Sequence, residues 1–224
     1  MRVIAYAAIA LSLSGCGVLE KREATTARTS SADVRTVPKQ TPAGPAVSDG
    51  SPMDAQLCIP QIGIDGLEVI AYTGKTDDGP GTEIQNKGLA ASPNGPEGGV
   101  GPGGVGNYQV TAHRLSSTQA FLRLPELRSG GRVEVVAGDR QYVYEIVQTR
   151  ETSFRSEASL RAQRAGVPGK PGAKPVAAYI TLSTCATPED HAAGNYWADE
   201  FGNPEHRIDK IGRLVSSELV QPRR

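Results

Sequence analysis

Alternation with a period of two is the strongest pattern along the chain. Ala178, Ile180 and Leu182 alternate with Ala177, Tyr179, Thr181 and Ser183 after a Gly- and Pro-rich loop, and the run ends in Cys185. Its length and its β-branched content predict a buried strand that carries a thiol at its C-terminal end. Arg132–Val136 and Gln141–Val147 flank a Gly138-Asp139 turn, which predicts a hairpin. Asn107–Ala112 alternates as a strand leading into His113, and Arg207–Val215 reads as the final strand. The folded region is expected to open at Cys58–Ile64, with Pro60 restricted to an edge or strand start, and Leu67–Tyr72 reads as a second strand. Two helical stretches interrupt this pattern. Thr118–Leu124 offers Phe121, Leu122 and Leu124 for packing before Pro125 stops it, and Ser156 caps a short helix running to about Ala165. Ser92–Gly106 reads as a Gly/Pro loop and Thr187-Pro188-Glu189-Asp190 as a turn. The pattern as a whole predicts an all-β domain with short helices and no internal repeat.

The ends of the chain lack this periodicity. Met1 to Leu13 gives one positive charge and then an apolar run of signal-peptide length, too short to span a bilayer comfortably. It ends in Leu13-Ser14-Gly15-Cys16, which resembles the bacterial lipobox, so Cys16 is expected to be lipidated and to become the mature N-terminus. A plain signal peptide or a short membrane anchor with an incidental cysteine is the alternative. Two acyl chains would meet the requirement for stable anchoring, at about 0.8 kcal/mol per buried methylene. Residues 17–52 are Thr, Ala, Ser, Pro and charged side chains without apolar periodicity, and are expected to form a disordered tether with a reach of roughly 30 Å. The predicted organisation is a signal peptide over 1–16, a linker over 17–52, a folded domain over 53–218 and a tail over 219–224. The expected location is the outer face of the cytoplasmic membrane.

Charge changes the picture by exclusion. Lys plus Arg number 24 and Asp plus Glu number 24, so no net field recruits nucleic acid, and no interleaving of basic and aromatic residues suggests it. The 26 glycines and 16 prolines against 5% aromatics fit many turns between short strands.

The candidate chemistry gathers at strand ends. A thiol is an able nucleophile once it has a proton partner and a group to hold an oxyanion. Cys185 is the candidate nucleophile, His113 the candidate acid and base, and Arg207 the permanent charge with a fork of donors. Each has a plainer reading. Cys58 and Cys185 could form a disulfide in an exported protein. His113 alone would be a polar strand-end residue and Arg207 a solvated charge. His191 is the second choice for the acid, while His206, beside Arg207, is expected on the opposite face as a surface residue. Three histidines and three cysteines show no metal-ligand spacing. Asp77, Asp78 and Glu83 could bind Ca²⁺ but are expected to be an acidic solvated loop.

Thr181-Leu182-Ser183-Thr184-Cys185 resembles the Thr-Leu-x-Thr-Cys motif of sortases, and Arg207 follows at the head of a strand as the family's arginine does. Val110-Thr111-Ala112-His113-Arg114, Ile59–Ile64 and Leu124–Val135 are similar to sortase segments in the same order, so the resemblance covers roughly residues 57–216. It implies a closed eight-stranded β-barrel and a cofactor-independent transpeptidase that cuts a sorting signal between Thr and Gly. On this resemblance Cys185 forms the thioacyl intermediate, His113 moves the proton, Arg207 stabilises the oxyanion, and Thr184 and Leu182 contact substrate. The implied partners are proteins with C-terminal sorting signals and an amine of a cell-wall precursor or pilin. The Gly194-Asn195-Tyr196-Trp197 run and Pro204–Arg207 look most like the actinobacterial class E enzymes, which favour Leu-Ala-x-Thr-Gly signals. The other readings are a thiol peptidase using water and a non-catalytic, lipid-anchored surface β-domain whose cysteine is structural.

Overall fold

The computed structural model describes residues 47–220. The expected lipidation at Cys16, the signal peptide, most of the linker and the last residues of the tail lie outside them. No helix among the described residues is long and apolar enough to cross a membrane.

Eight strands close into one barrel. In chain order they are β1 (Ala55–Ile59), β2 (Ile64–Thr73), β3 (Ala90–Asn94), β4 (Gly106–Thr111), β5 (Arg132–Ala137), β6 (Arg140–Ser153), β7 (Ala178–Cys185) and β8 (His206–Leu219). Around the barrel they run β1-β2-β3-β4-β7-β8-β6-β5 and return to β1. Pairs β2/β3 and β4/β7 are parallel and the remainder antiparallel. Closure removes every free sheet edge. The expected all-β, closed eight-stranded architecture is therefore the observed one.

The alternating positions supply the core. Val133 and Val135 on β5, Tyr142, Tyr144 and Ile146 on β6, and Ile180 and Leu182 on β7 point inward with Tyr108 and Val110 of β4. The hairpin forms across Gly138-Asp139 with Ala137 opposite Arg140. β4 and β7 are covered on their outer faces as well. Asn107, Gln109, Thr111, Thr181 and Ser183 alternate with the core residues yet are also buried. Part of the cover is α2 (Glu157–Arg164), capped as expected by the Ser156 hydroxyl on Ser159 N at 3.2 Å. From α2 Gln163 reaches Ser183 Oγ at 3.2 Å, and its backbone oxygen accepts from Asn107 Nδ2 at 2.9 Å. A strand pair covered on both faces is the expected environment of parallel pairing.

Several elements differ from expectation. Thr118–Leu124 forms turns, and the short 3-10 helix that follows, Leu124–Glu126, contains Pro125 in its first turn, so the proline begins that element instead of ending one. Pro60 likewise opens a 3-10 turn, Pro60–Ile62, between β1 and β2. Strand β3 lies partly inside the expected Gly/Pro loop, with Pro93 opposite Tyr72. Helices α1 (Gly79–Asn86) and α3 (Thr187–Ala192) were not expected from the pattern, and β6 extends six residues past Val147 through a polar stretch that pairs with β8.

Candidate active site

Strand register brings the candidate residues to one end of the barrel. Cys185 is the last residue of β7 and lies opposite Arg207 near the start of β8. Because β7 alternates, Cys185 shares parity with Thr181 and Ser183 and falls on the outer face, away from the core. β4 runs parallel to β7 with Thr111 opposite Ser183, so two further residues carry His113 level with Cys185. That level is secured by Thr184 Oγ1, which donates to Ala112 O at 2.8 Å, and by Arg114 Nη1, which donates to Cys185 O at 3.2 Å. Arg114 is held in turn by Glu189 of α3, with Nη2 to Oε1 at 2.9 Å.

Arg207 is, with Asp209, the most confined charge among the described residues, at 1% of its surface exposed. Nη1 contacts Cys185 Sγ, Nη2 donates to Asn203 Oδ1 at 2.7 Å, and the guanidinium carbon stands 4.6 Å from the Phe154 ring centroid. Its Nε lies 3.1 Å from Asp77 Oδ2, close enough for an ion pair although the angle is not that of a hydrogen bond. His113 is half-buried, and its Nε2 is 2.8 Å from Asn86 Oδ1.

These surroundings set the protonation states. Burial pushes the Cys185 thiol up, with the Arg207 charge partly offsetting it and the Asp77 charge adding to it. Burial lowers the His113 imidazole, opposed by Asp77 and reinforced by Arg207. Near neutral pH the pair therefore rests as thiol and neutral imidazole, and the thiolate with imidazolium is a minority state.

The remaining expected site residues fall elsewhere. Leu182 is wholly buried in the core cluster and Thr184 is spent on Ala112 O, so the expected substrate contacts at these two positions give way to packing and to fastening the His113 segment. His206 is more than a surface residue. Its Nδ1 meets Asp190 Oδ1 at 2.6 Å, and although burial works against it, Asp190 with Glu151 and Glu205 raises the imidazole above its ordinary value. His191 stacks on Tyr196 with centroids 4.7 Å apart. Cys58 is buried on β1, where its Sγ accepts from Gly66 N at 3.3 Å, and no disulfide joins it to Cys185.

The acidic-loop reading of Asp77, Asp78 and Glu83 is corrected. Asp77 is buried against Arg207, and Asp78 caps α1 by accepting from Gly81 N at 2.9 Å; Glu83 alone is exposed. Asp77 and Asn203 are thus site residues that sequence reasoning missed. The available signal was indirect: a buried arginine requires a counter-charge, and an aspartate in a Gly-rich connection can supply one.

A closed mixed barrel presenting a thiol beside a buried guanidinium, with an imidazole on the adjoining strand, has the parts of a cysteine acyl-transfer site. The family model described as the sortase domain matches residues 57–198, and the chain belongs to the sortase family. It is a transpeptidase of the sortase type. Among solved structures it is similar to a sortase from Actinomyces oris, at 19% identity and a TM-score of 0.56 over 81% of this chain and 89% of that one. Sortase E1 from Streptomyces coelicolor, determined with a tripeptide in the active site, matches at 20% identity and a TM-score of 0.55 over 78% and 94%. Sortase E from Streptomyces avermitilis matches at 23% identity and a TM-score of 0.53 over 77% and 93%. At these identities the likeness is one of fold. The curated proteins contain no match.

Proposed function

We propose that this chain is an extracytoplasmic transpeptidase that cleaves a Leu-Ala-x-Thr-Gly or Leu-Pro-x-Thr-Gly signal between Thr and Gly and joins the Thr carbonyl to an amine. The observation that carries this reading is the Arg207 guanidinium set against Cys185 Sγ, with His113 carried level with the thiol by the parallel β4/β7 register.

The steps balance as follows. The Cys185 proton passes to His113, and the thiolate attacks the Thr carbonyl carbon, whose oxygen becomes negative beside Arg207. The C–N bond breaks, His113 returns the proton to the departing Gly amine, and a thioester remains on Cys185. An acceptor amine then attacks the thioester and gives its proton to His113. The C–S bond breaks, the new amide leaves, and His113 returns that proton to the Cys185 thiolate. The acceptor is a cell-wall precursor or pilin amine, class E is the subclass that the Gly194–Trp197 and Pro204–Arg207 runs resemble, and lipidation at Cys16 would hold the enzyme at the outer face of the cytoplasmic membrane.

Incubating the protein with a Leu-Ala-x-Thr-Gly peptide and an added amine, and weighing the products, tests the proposal. The expected product is the amine-capped peptide, absent with Cys185→Ala. Hydrolysed peptide alone would mark a thiol peptidase, and no turnover across many signals would favour a non-catalytic domain. A Cys16→Ala variant that kept its lipid label would remove the anchoring proposal alone.

A further inference from the structure

Two edges and one face of Arg207 are fixed by groups other than the thiol. Nη2 is held by Asn203, whose own amide is tied to Asp199 Oδ2 at 2.9 Å, the flat face rests on Phe154, and Nε faces Asp77. What remains is Nη1, the edge turned to Cys185 Sγ. Asp77 belongs to no barrel strand. It lies in the lead-in to α1, and Asn86, the last residue of that helix, is the partner of His113 Nε2. One short connection therefore touches both groups assigned to serve the thiol.

That connection is itself anchored. Thr76 Oγ1 donates to Gln109 Oε1 of β4 at 2.6 Å, Gln85 Nε2 donates to Asp77 Oδ1 at 3.1 Å, and Asp78 caps the helix. Asp77 adopts φ of 58°, a left-handed conformation that surrounding contacts must hold in place. A buried guanidinium needs a nearby carboxylate. Asp209, also buried on β8, has its oxygens engaged by Thr152 Oγ1 at 2.6 Å and Gln163 Nε2 at 2.9 Å. Asp77 is the carboxylate left to face Nε.

We propose that Asp77 is a positioning residue for the transfer reaction: it holds Arg207 by the Nε edge so that the Nη1 edge meets the reacting sulfur, while Asn86 on the same helix fixes His113. The inference rests on the roles given above to Cys185, His113 and Arg207. Asp77 acts through Arg207 and serves as its fixed counter-charge in a preorganised site.

The charged groups that bear on the thiol are Arg207 from β8, Asp77 from the α1 lead-in, and Arg114, which sits on the Cys185 carbonyl and is paired with Glu189. Asp77→Ala, Asp77→Asn and Cys185→Ala are compared with the unmodified chain in the peptide-plus-amine assay across pH. Asp77→Ala is expected to lower kcat by about a hundredfold, the scale of a displaced catalytic group, with KM within about threefold. Asp77→Asn keeps a polar oxygen of the same size facing Nε but loses the charge. It is expected to stay within about tenfold of the parent rate, and its alkaline limb should move to lower pH because one charge opposing the thiolate is gone. An undiminished or raised rate in Asp77→Ala would overturn the proposal, making the segment an obstruction instead. Equal losses in both variants with an unmoved alkaline limb would also overturn it, as the mark of a purely structural residue. Activity surviving in Cys185→Ala would instead bring down the site reading on which the proposal rests.

Discussion

At the scale of single residues, burial moves the His113 imidazole down and the Cys185 thiol up. With the two moved apart, the pair shares a single proton across the interval between them, and that is the state from which proton transfer and attack start. Activity should rise through an acid limb below the ordinary imidazole value of 6.5 and fall through an alkaline limb above the ordinary thiol value of 9.0, as a pH profile of kcat/KM will report. Limbs in the reverse order, or a profile flat across this interval, would contradict the environments described. Arg207→Lys should lower kcat by about a hundredfold or more, because an ammonium cannot engage Asn203, Asp77 and the sulfur together. Of this site, Cys185, His113 and Arg207 were legible in the sequence because each lies at or within two residues of a strand end, inside a recognisable motif. Asp77 was not. An aspartate in a Gly- and Asp-rich stretch reads as solvent-exposed, and only the path of the β2-to-β3 connection buries it.

At the scale of elements, alternation revealed those strands that have one apolar and one polar face. β5, β6 and β7 showed it, and the Gly138-Asp139 turn marked the hairpin. β3 did not, since Ala90-Ala91-Ser92-Pro93-Asn94 has neither alternation nor bulk, and its identity as a strand comes from parallel pairing with β2. Helix α1 carries two glycines and a proline in eight residues, below any propensity signal, and is stabilised by its Asp78 cap and by Gln85 on Asp77. The junction between β7 and the His113 segment depends on Thr184. Thr184→Val removes the bond to Ala112 O and leaves that carbonyl short of a partner, at about 1–2 kcal/mol of stability. Urea unfolding measures this loss, and kcat should fall with it because the same bond sets the height of His113 beside Cys185.

For the whole molecule, barrel closure is what makes distant segments meet: β4 and β7 are neighbours in space and belong to separate parts of the sequence. Packing around the loop that precedes β4 illustrates how little slack remains. Gly103 has φ of 73°, its N–H donates to Tyr144 Oη at 2.7 Å, and an added Cβ would stand 2.1 Å from the Tyr142 ring. Gly103→Ala should therefore destabilise the barrel by about 2–3 kcal/mol, read as a lower denaturant midpoint with an unchanged slope. The central claim is that Cys185, set on the outer face of β7 beside Arg207, accepts the acyl group of a cleaved signal. Rapid acid quenching of the enzyme with a Leu-Ala-x-Thr-Gly peptide in the absence of added amine, followed by peptide mapping by mass spectrometry, tests it directly. The expected result is the mass of the peptide through its Thr on the fragment that contains Cys185; cleavage of the signal with that fragment unmodified, or with the adduct on another residue, would contradict it.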